Sequence, residues 1–271
     1  MVEKLKMKKP IICVENLVKK FGNFFAVDDI SFDVERGEIF AFLGPNGAGK
    51  TTTIKILTTL LKPTSGKIRI DGYDPVENQH KVRQTFGIVF QDPSLDDELT
   101  AYENMQFHAI LYNVPKKTYK ERIKLLLEIV ELWDRKDSLV KEFSGGMKRR
   151  LEIARGLVHH PKILYLDEPT IGLDPQTRNH IWNYIQNLSK TENITVFLTT
   201  HYMEEAEKVA NRIAIVDHGK IIAKGSAEEL KKQTKTDSLE DSFLALTGTM
   251  IREEEREKNI MMRHFHRRNR R

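Results

Sequence analysis

Five consecutive apolar residues, Ile39 to Leu43, predict a strand, and the helix-spaced Ile54, Leu57 and Leu61 beyond them predict a helix. Ahead of this unit, residues 11 to 34 alternate in places, first at Ile11, Cys13 and Glu15, then at Val27, Ile30, Phe32 and Val34. With turn residues at Gly22-Asn23, that pattern predicts an antiparallel β layer. Further strands are expected at Lys67 to Asp71 and Gly87 to Phe90.

The period then changes. From about Thr100 to Trp133 the spacing is helical, with Tyr119, Ile123, Leu126 or Leu127, Val130 and Trp133 on one face and Pro115 dividing two helices. An inserted helical subdomain over about residues 92–160 is the expectation. After it come a strand at Lys162 to Leu166, a helix from Pro175 to Leu188, and strands at Ile194 to Leu198 and Arg212 to Val216. Alternating strand and helix implies an α/β fold with a mostly parallel sheet and helices on its faces.

Composition narrows the class. The chain has 271 residues, 39% hydrophobic and 31% charged, enough for one domain or a core with a subdomain. Its single cysteine, Cys13, excludes an internal disulfide and fits a reducing compartment. No apolar run approaches the roughly 18 residues of a membrane span, and the Lys-rich start (Lys4, Lys6, Lys8, Lys9) lacks the apolar stretch of a signal peptide, so a cytoplasmic location is expected. Of the net charge of +5, most sits in residues 252–271, which hold eight Lys/Arg against four Glu. The nearly neutral body gives no reason to expect a nucleic-acid partner.

The residues that promise chemistry begin between the strand and the helix. Gly44-Pro45-Asn46-Gly47-Ala48-Gly49-Lys50-Thr51-Thr52 has the form G-x-x-x-x-G-K-T. Its glycines let the loop turn tightly and bring backbone N–H groups onto oxygen atoms without a Cβ in the way. Lys50 offers a charge to β/γ-phosphates, Thr51 a hydroxyl to Mg²⁺, and the following helix its positive end, so the ligand implied is a nucleoside triphosphate. The core is thus of the phosphate-loop NTPase type.

Other candidates gather at strand ends. Ile163 to Leu166 leads into Asp167-Glu168, where a first acid can hold Mg²⁺ and a second can orient or deprotonate water; a bare turn at Asp-Glu-Pro-Thr is the bland alternative. His201 follows Thr199-Thr200 and could bond a terminal phosphate, and Gln91 follows a strand and could reach the metal or the attacking water. Ser144-Gly145-Gly146 opens a helix with free amides behind it, a second anion site in form, though on spacing alone a plain cap accounts for it; Asp174 before Pro175 also reads as a cap. Phe21 could stack on a base or fill the core. His264 and His266 lack partners for a metal, and the tail from about Met250 reads as a disordered, charged terminus, with a lipid-touching amphipathic segment as its alternative.

Taken in order, Phe21, GPNGAGKTT at 44–52, Gln91, FSGGMKRRLEIARGL at 143–157, ILYLDEPT at 163–170, IGLDP at 171–175 and His201 resemble the nucleotide-binding subunit of ABC transporters over roughly residues 10–235. The resemblance implies an ATP-binding domain over 1–235, a C-terminal extension over 236–271, ATP hydrolysis with Mg²⁺, and a head-to-tail homodimer enclosing two ATP molecules. It further implies that Phe21 stacks on adenine, Asp167 serves the metal, Glu168 activates water and His201 holds the γ-phosphate. Ser144, Gly145 and Gly146 would face the other subunit's γ-phosphate, Gln91 would link the site to a separate membrane permease, and Asp174 would cross the dimer interface. On that reading the chain sits peripherally on the inner face of the cell membrane.

The chain departs from the commonest family pattern at Phe21, where Tyr is usual, at Phe143 and Met147, where Leu and Gln are usual, and at Ile171, where a small residue is usual. Stacking survives loss of a hydroxyl, and amides that bind an anion are untouched by these changes. The stretches FSGGMKRRLEIARGL, TIGLDP and LEDSFLALTG at 239–248 are similar to the drug-resistance exporter branch, which implies drugs, lipids or other amphipathic compounds as cargo. A soluble ATPase of the same type acting on ribosomes or nucleic acid is the alternative; such relatives usually carry two cassettes or long coiled-coil insertions, and this sequence has neither.

Overall fold

The computed structural model describes residues 9–248. In chain order the elements are β1 (Ile12–Phe21), β2 (Phe24–Val34), β3 (Ile39–Leu43), α1 (Lys50–Leu57), β4 (Ser65–Ile70), α2 (Gln79–Arg83), β5 (Phe86–Val89), α3 (Ala101–Leu111) and α4 (Lys116–Ile129). They continue with α5 (Gly145–Gly156), β6 (Ile163–Asp167), α6 (Pro175–Glu192), β7 (Thr195–Thr200), α7 (Met203–Val209), β8 (Arg212–Asp217), β9 (Lys220–Gly225), α8 (Ala227–Thr234) and α9 (Leu239–Thr247).

Two sheets result. One has three antiparallel strands in the order β2-β1-β4, as the alternation around Gly22-Asn23 predicts. The other has six, in the order β5-β6-β7-β3-β8-β9, parallel except for β9 against β8. β3 lies inside this sheet and is buried at every position, which is why it reads as an unbroken apolar run instead of an alternating one. Phe32 of β2 meets Phe40 and Phe42 of β3 and Phe197 of β7 at ring centroids 5.4–5.9 Å apart, sealing one sheet onto the other. Burying each such ring is worth roughly 1.5–3 kcal/mol.

The opposite face of the larger sheet is covered by helices. In the inserted segment, Tyr119, Ile123, Leu126, Leu127 and Val130 are buried together with Leu151 and Ala154 of α5. Trp133 does not continue the α4 face as expected. Glu131 adopts a left-handed φ of 56°, which stops the helix, and Trp133 opens a short 3-10 turn, Trp133–Arg135, instead. Strand limits shift by one or two residues elsewhere, as with β4 and β7.

The expected C-terminal extension from residue 236 begins with α9, whose Leu239 and Phe243 are buried in the same core as Val209 and Leu230. Two capping boxes set helix starts: Thr100 with Glu103 for α3, and Ser226 with Glu229 for α8. No helix among the described residues is long and apolar enough to cross a membrane. The basic tail with His264 and His266, and Lys4 to Lys8 at the start, lie outside the described residues.

Candidate active site

The carboxyl ends of β3, β5, β6 and β7 meet along one edge of the parallel sheet, and the loop Gly44–Gly49 leaves β3 there to start α1. Gly44 donates its N–H to Thr200 O at 3.3 Å, and Gly219 donates to Ala48 O at 3.2 Å, so the loop is tied down on two sides. Two glycines are sterically required: a Cβ on Gly44 would lie 2.1 Å from Val216 O, and Gly49 combines a φ of 98° with Ala26 O at 2.3 Å from any Cβ. Gly49 is also the N-cap of α1, which has no side-chain cap and no acidic residue in its first turn. Its leading N–H groups are therefore left for an anion.

Lys50 is buried and its ammonium is held in place by three oxygens: Gly44 O at 2.8 Å, Pro45 O at 3.0 Å and Glu168 Oε1 at 3.2 Å. His201 Nδ1 lies 3.2 Å from the other oxygen of Glu168, so one carboxylate joins the phosphate loop to the end of β7. Glu168 has a left-handed φ of 49°, a costly conformation for a non-glycine residue. It is locked there because its N–H donates to both the carbonyl and the hydroxyl of Thr199, each at 3.1 Å. Burial pushes the Glu168 carboxyl up, but the His201 hydrogen bond and the Lys50 charge outweigh it and hold the carboxyl below its ordinary range.

Asp167 behaves oppositely. Thr199 Oγ1 donates to its Oδ1 at 2.6 Å and Thr51 Oγ1 at 3.2 Å, yet burial dominates and raises its pKa. A raised carboxyl pKa means the ionised form costs stability. That cost is absent at acid pH, where folded and unfolded chains are both protonated, and is complete once pH exceeds the raised native value. Asp167→Asn, which can still accept from Thr199, should therefore melt at a higher temperature than wild type at neutral pH without nucleotide. The gap should close toward acid pH; a lower melting temperature at neutral pH would contradict this.

Glu205 ties the loop after Asp167-Glu168 to the end of β7, where His201 sits. Its carboxylate accepts Thr170 Oγ1 at 2.8 Å and Thr200 Oγ1 at 3.4 Å, with Arg178 Nη1 at 4.0 Å. Arg149, buried beneath the 90–94 segment, donates to Phe90 O at 2.6 Å and Gln91 O at 3.0 Å and pairs with Glu152. Neither buried anchor is flagged by the sequence, since a lone charge inside a helix reads as surface.

These elements enclose a cleft of about 400 Å³, within the usual range for small-molecule sites. Asn46, Gly47, Gly49, Lys50, Thr51 and Thr52 line it from the loop and α1. Gln91 and Glu168 line it from the ends of β5 and β6, and Phe21, Phe24 and Ala26 from the β1–β2 hairpin. Phe21 is 49% exposed, so the core alternative for this ring is excluded. Phe24 was not singled out by its sequence; its only signal is its place opposite Phe21 across Gly22-Asn23.

Asp167 and His201 stand behind the lining, reaching it through Thr51 and Glu168. Pro45 and Ala48 line a neighbouring cleft of about 270 Å³. Ser144, Gly145, Gly146 and Asp174 lie outside the lining, grouped at the starts of α5 and α6. Both caps are made, with Ser144 Oγ accepting Met147 N at 3.3 Å and Asp174 accepting Thr177 N at 3.0 Å. Thr177 Cγ2 lies 2.7 Å from any Cβ on Gly146, which sets the two helix starts in contact.

A cleft lined by a glycine loop, a buried lysine and Glu168, with Asp167 behind it, defines a phosphate-loop nucleotide hydrolase. Residues 27–171 match the ABC transporter family. The chain is 40% identical over 234 residues to the daunorubicin resistance ATP-binding protein DrrA3 of Streptomyces coeruleorubidus, covering 86% of this chain and 74% of that one. Among solved structures it is similar to an ATP-binding subunit of an ABC transporter, with a TM-score of 0.80 and 31% identity over 88% of this chain and 99% of the other. It is also similar to a dimeric ATP-binding cassette in a post-hydrolysis state bound to ADP and Pi, with a TM-score of 0.71 and 28% identity over 79% of this chain and 98% of the other. The chain belongs to the ABC transporter family and is an ATP-binding, ATP-hydrolysing subunit.

Proposed function

We propose that this subunit powers an exporter whose membrane permease is a separate polypeptide, working as a homodimer on the inner face of the cell membrane. Its cargo on this reading is a drug, lipid or other amphipathic compound; the daunorubicin resistance relative supports the first of these. The observation that carries the reading is the division of the candidate residues. Lys50, Thr51, Gln91 and Glu168 line the cleft, whereas the amides behind Ser144, with Gly145, Gly146 and Asp174, lie outside it. A second copy placed head to tail supplies those amides to a γ-phosphate, with Asp174 at the interface. The dimeric cassette among the similar structures supports this arrangement.

In this reading the triphosphate lies along residues 44–52, Phe21 stacks on adenine, and His201 holds the γ-phosphate. The Thr51 hydroxyl and the Asp167 carboxylate are hard oxygen donors already in contact, a set that fits Mg²⁺, with Gln91 able to join them. Bound there, Mg²⁺ would neutralise charge on the phosphate oxygens. Glu168 takes the proton from the attacking water. The His201 hydrogen bond first and the Lys50 charge second hold its pKa down and make it a weak base in the free chain. Once Lys50 turns to phosphate oxygens, Glu168 loses one of these two contacts and its proton affinity rises, so the substrate itself helps to arm the base.

The dimer is the testable part. With ATP, a chain carrying Glu168→Gln should sediment at twice the monomer mass, and adding Ser144→Arg should return it to monomers that still bind ATP. Ser144→Arg chains that dimerise normally would refute the head-to-tail arrangement. Copurification of a polytopic membrane protein with the tagged subunit supports transport; salt-sensitive RNA or DNA binding would instead support action on nucleic acid.

A further inference from the structure

The hairpin wall of the cleft holds more aromatic surface than one stacking ring requires. Phe21 and Phe24 are directly opposed residues at the closed end of β1 and β2, and both line the cleft that contains Lys50 and Glu168. Phe24 is 63% exposed, more than any other large apolar residue among those described. The neighbouring rings have partners: Lys19 Nζ lies 4.9 Å from the centroid of Phe21, and Lys20 Nζ 4.9 Å from that of Phe25. No such ring partner is found for Phe24 among the described residues. It also borders the neighbouring cleft with Asn46 and Gly47, so it stands against the rim of the phosphate loop.

An exposed phenyl ring beside a nucleotide cleft has a large apolar surface to bury. The polar end of the ligand is accounted for by the loop amides, Lys50 and Thr51. What remains is a base, flat and largely apolar on its faces, with its sugar, and an all-apolar wall of Phe21, Phe24 and Ala26. Resting on the nucleotide reading above, we propose that Phe24 is a second nucleobase-contacting residue, which packs on the base and sugar alongside Phe21. The hairpin then grips the nucleotide with two rings, and truncating either one weakens binding without touching the phosphates.

The test compares two probes on the full chain: ATP, and inorganic tripolyphosphate, which has the phosphates but no base. By calorimetry, Phe24→Ala should raise the Kd for ATP about tenfold, as expected for loss of one base–aromatic contact. The Kd for tripolyphosphate should not change, and Phe24→Tyr should restore ATP affinity. Melting curves should match wild type, since the ring is exposed in the free protein. An unchanged ATP Kd in Phe24→Ala, or an equal loss for tripolyphosphate, overturns the assignment. A wild-type chain that binds tripolyphosphate and ATP equally would show that no ring is used, and one that binds neither would remove the nucleotide reading itself.

Discussion

Glu168→Gln is expected to lower ATP turnover by about 10²-fold or more, because a positioned general base contributes at least that much. Binding should survive. Glutamine keeps the length of the side chain, and its neutral amide no longer competes with phosphate oxygens for the Lys50 ammonium, now 3.2 Å from Glu168. ATP should therefore bind as tightly as before or more tightly, and dimers should accumulate because they close without reopening. Phosphate release measured with a coupled assay checks the first part, and equilibrium binding of ATP the second. Turnover near wild type would remove Glu168 from its role as base.

The second large effect is at the other end of the same pair. Lys50→Ala should weaken ATP by about 10- to 100-fold, the size of a charge-assisted hydrogen bond lost from a buried site. The loss has two sources. Contact with the β/γ-phosphates disappears, and the loop itself loosens, because Lys50 bridges Gly44 O and Pro45 O from below. Unlike Glu168→Gln, this variant should fail in binding and in dimerisation as well as in turnover. Calorimetry that finds unchanged ATP affinity would contradict the cradle assignment. Asp167→Asn completes the series with the opposite sign in stability, since it relieves a buried charge.

What could be read from the sequence followed from burial. β3 is apolar at all five positions because it is an interior parallel strand covered on both sides, and the G-x-x-x-x-G-K-T that follows fits a strand leading into a phosphate loop. Helix starts at Ser144 and Asp174 were legible for the same reason that they form: each offers a side-chain oxygen to an orphan N–H. Short or exposed elements were not. α2 has five residues and α7 seven, too few for a helical period to register. β9 is an edge strand with Lys220 and Lys224 outward, which resembles a polar loop. Ser226 and Glu229, three apart, did carry a start signal for α8, as their capping box shows.

The site divides in the same way. Lys50, Thr51, Asp167 and Glu168 come from two short motifs, and their convergence follows from parallel strands ending on one edge. Thr199, which locks both acids, and Glu205, which accepts from Thr170, act through contacts between residues 31 to 35 positions apart. No local spacing announces a partner at that distance.

All of this depends on where the triphosphate lies, and the most direct measurement is a crystal structure of the chain with a slowly hydrolysed ATP analogue and Mg²⁺. The β- and γ-phosphate oxygens should lie about 3 Å from Lys50 Nζ and from the amides of residues 47–52, with Lys50 drawn away from Glu168. A nucleotide bound elsewhere, with the Lys50–Glu168 contact intact and the glycine loop empty, would contradict it.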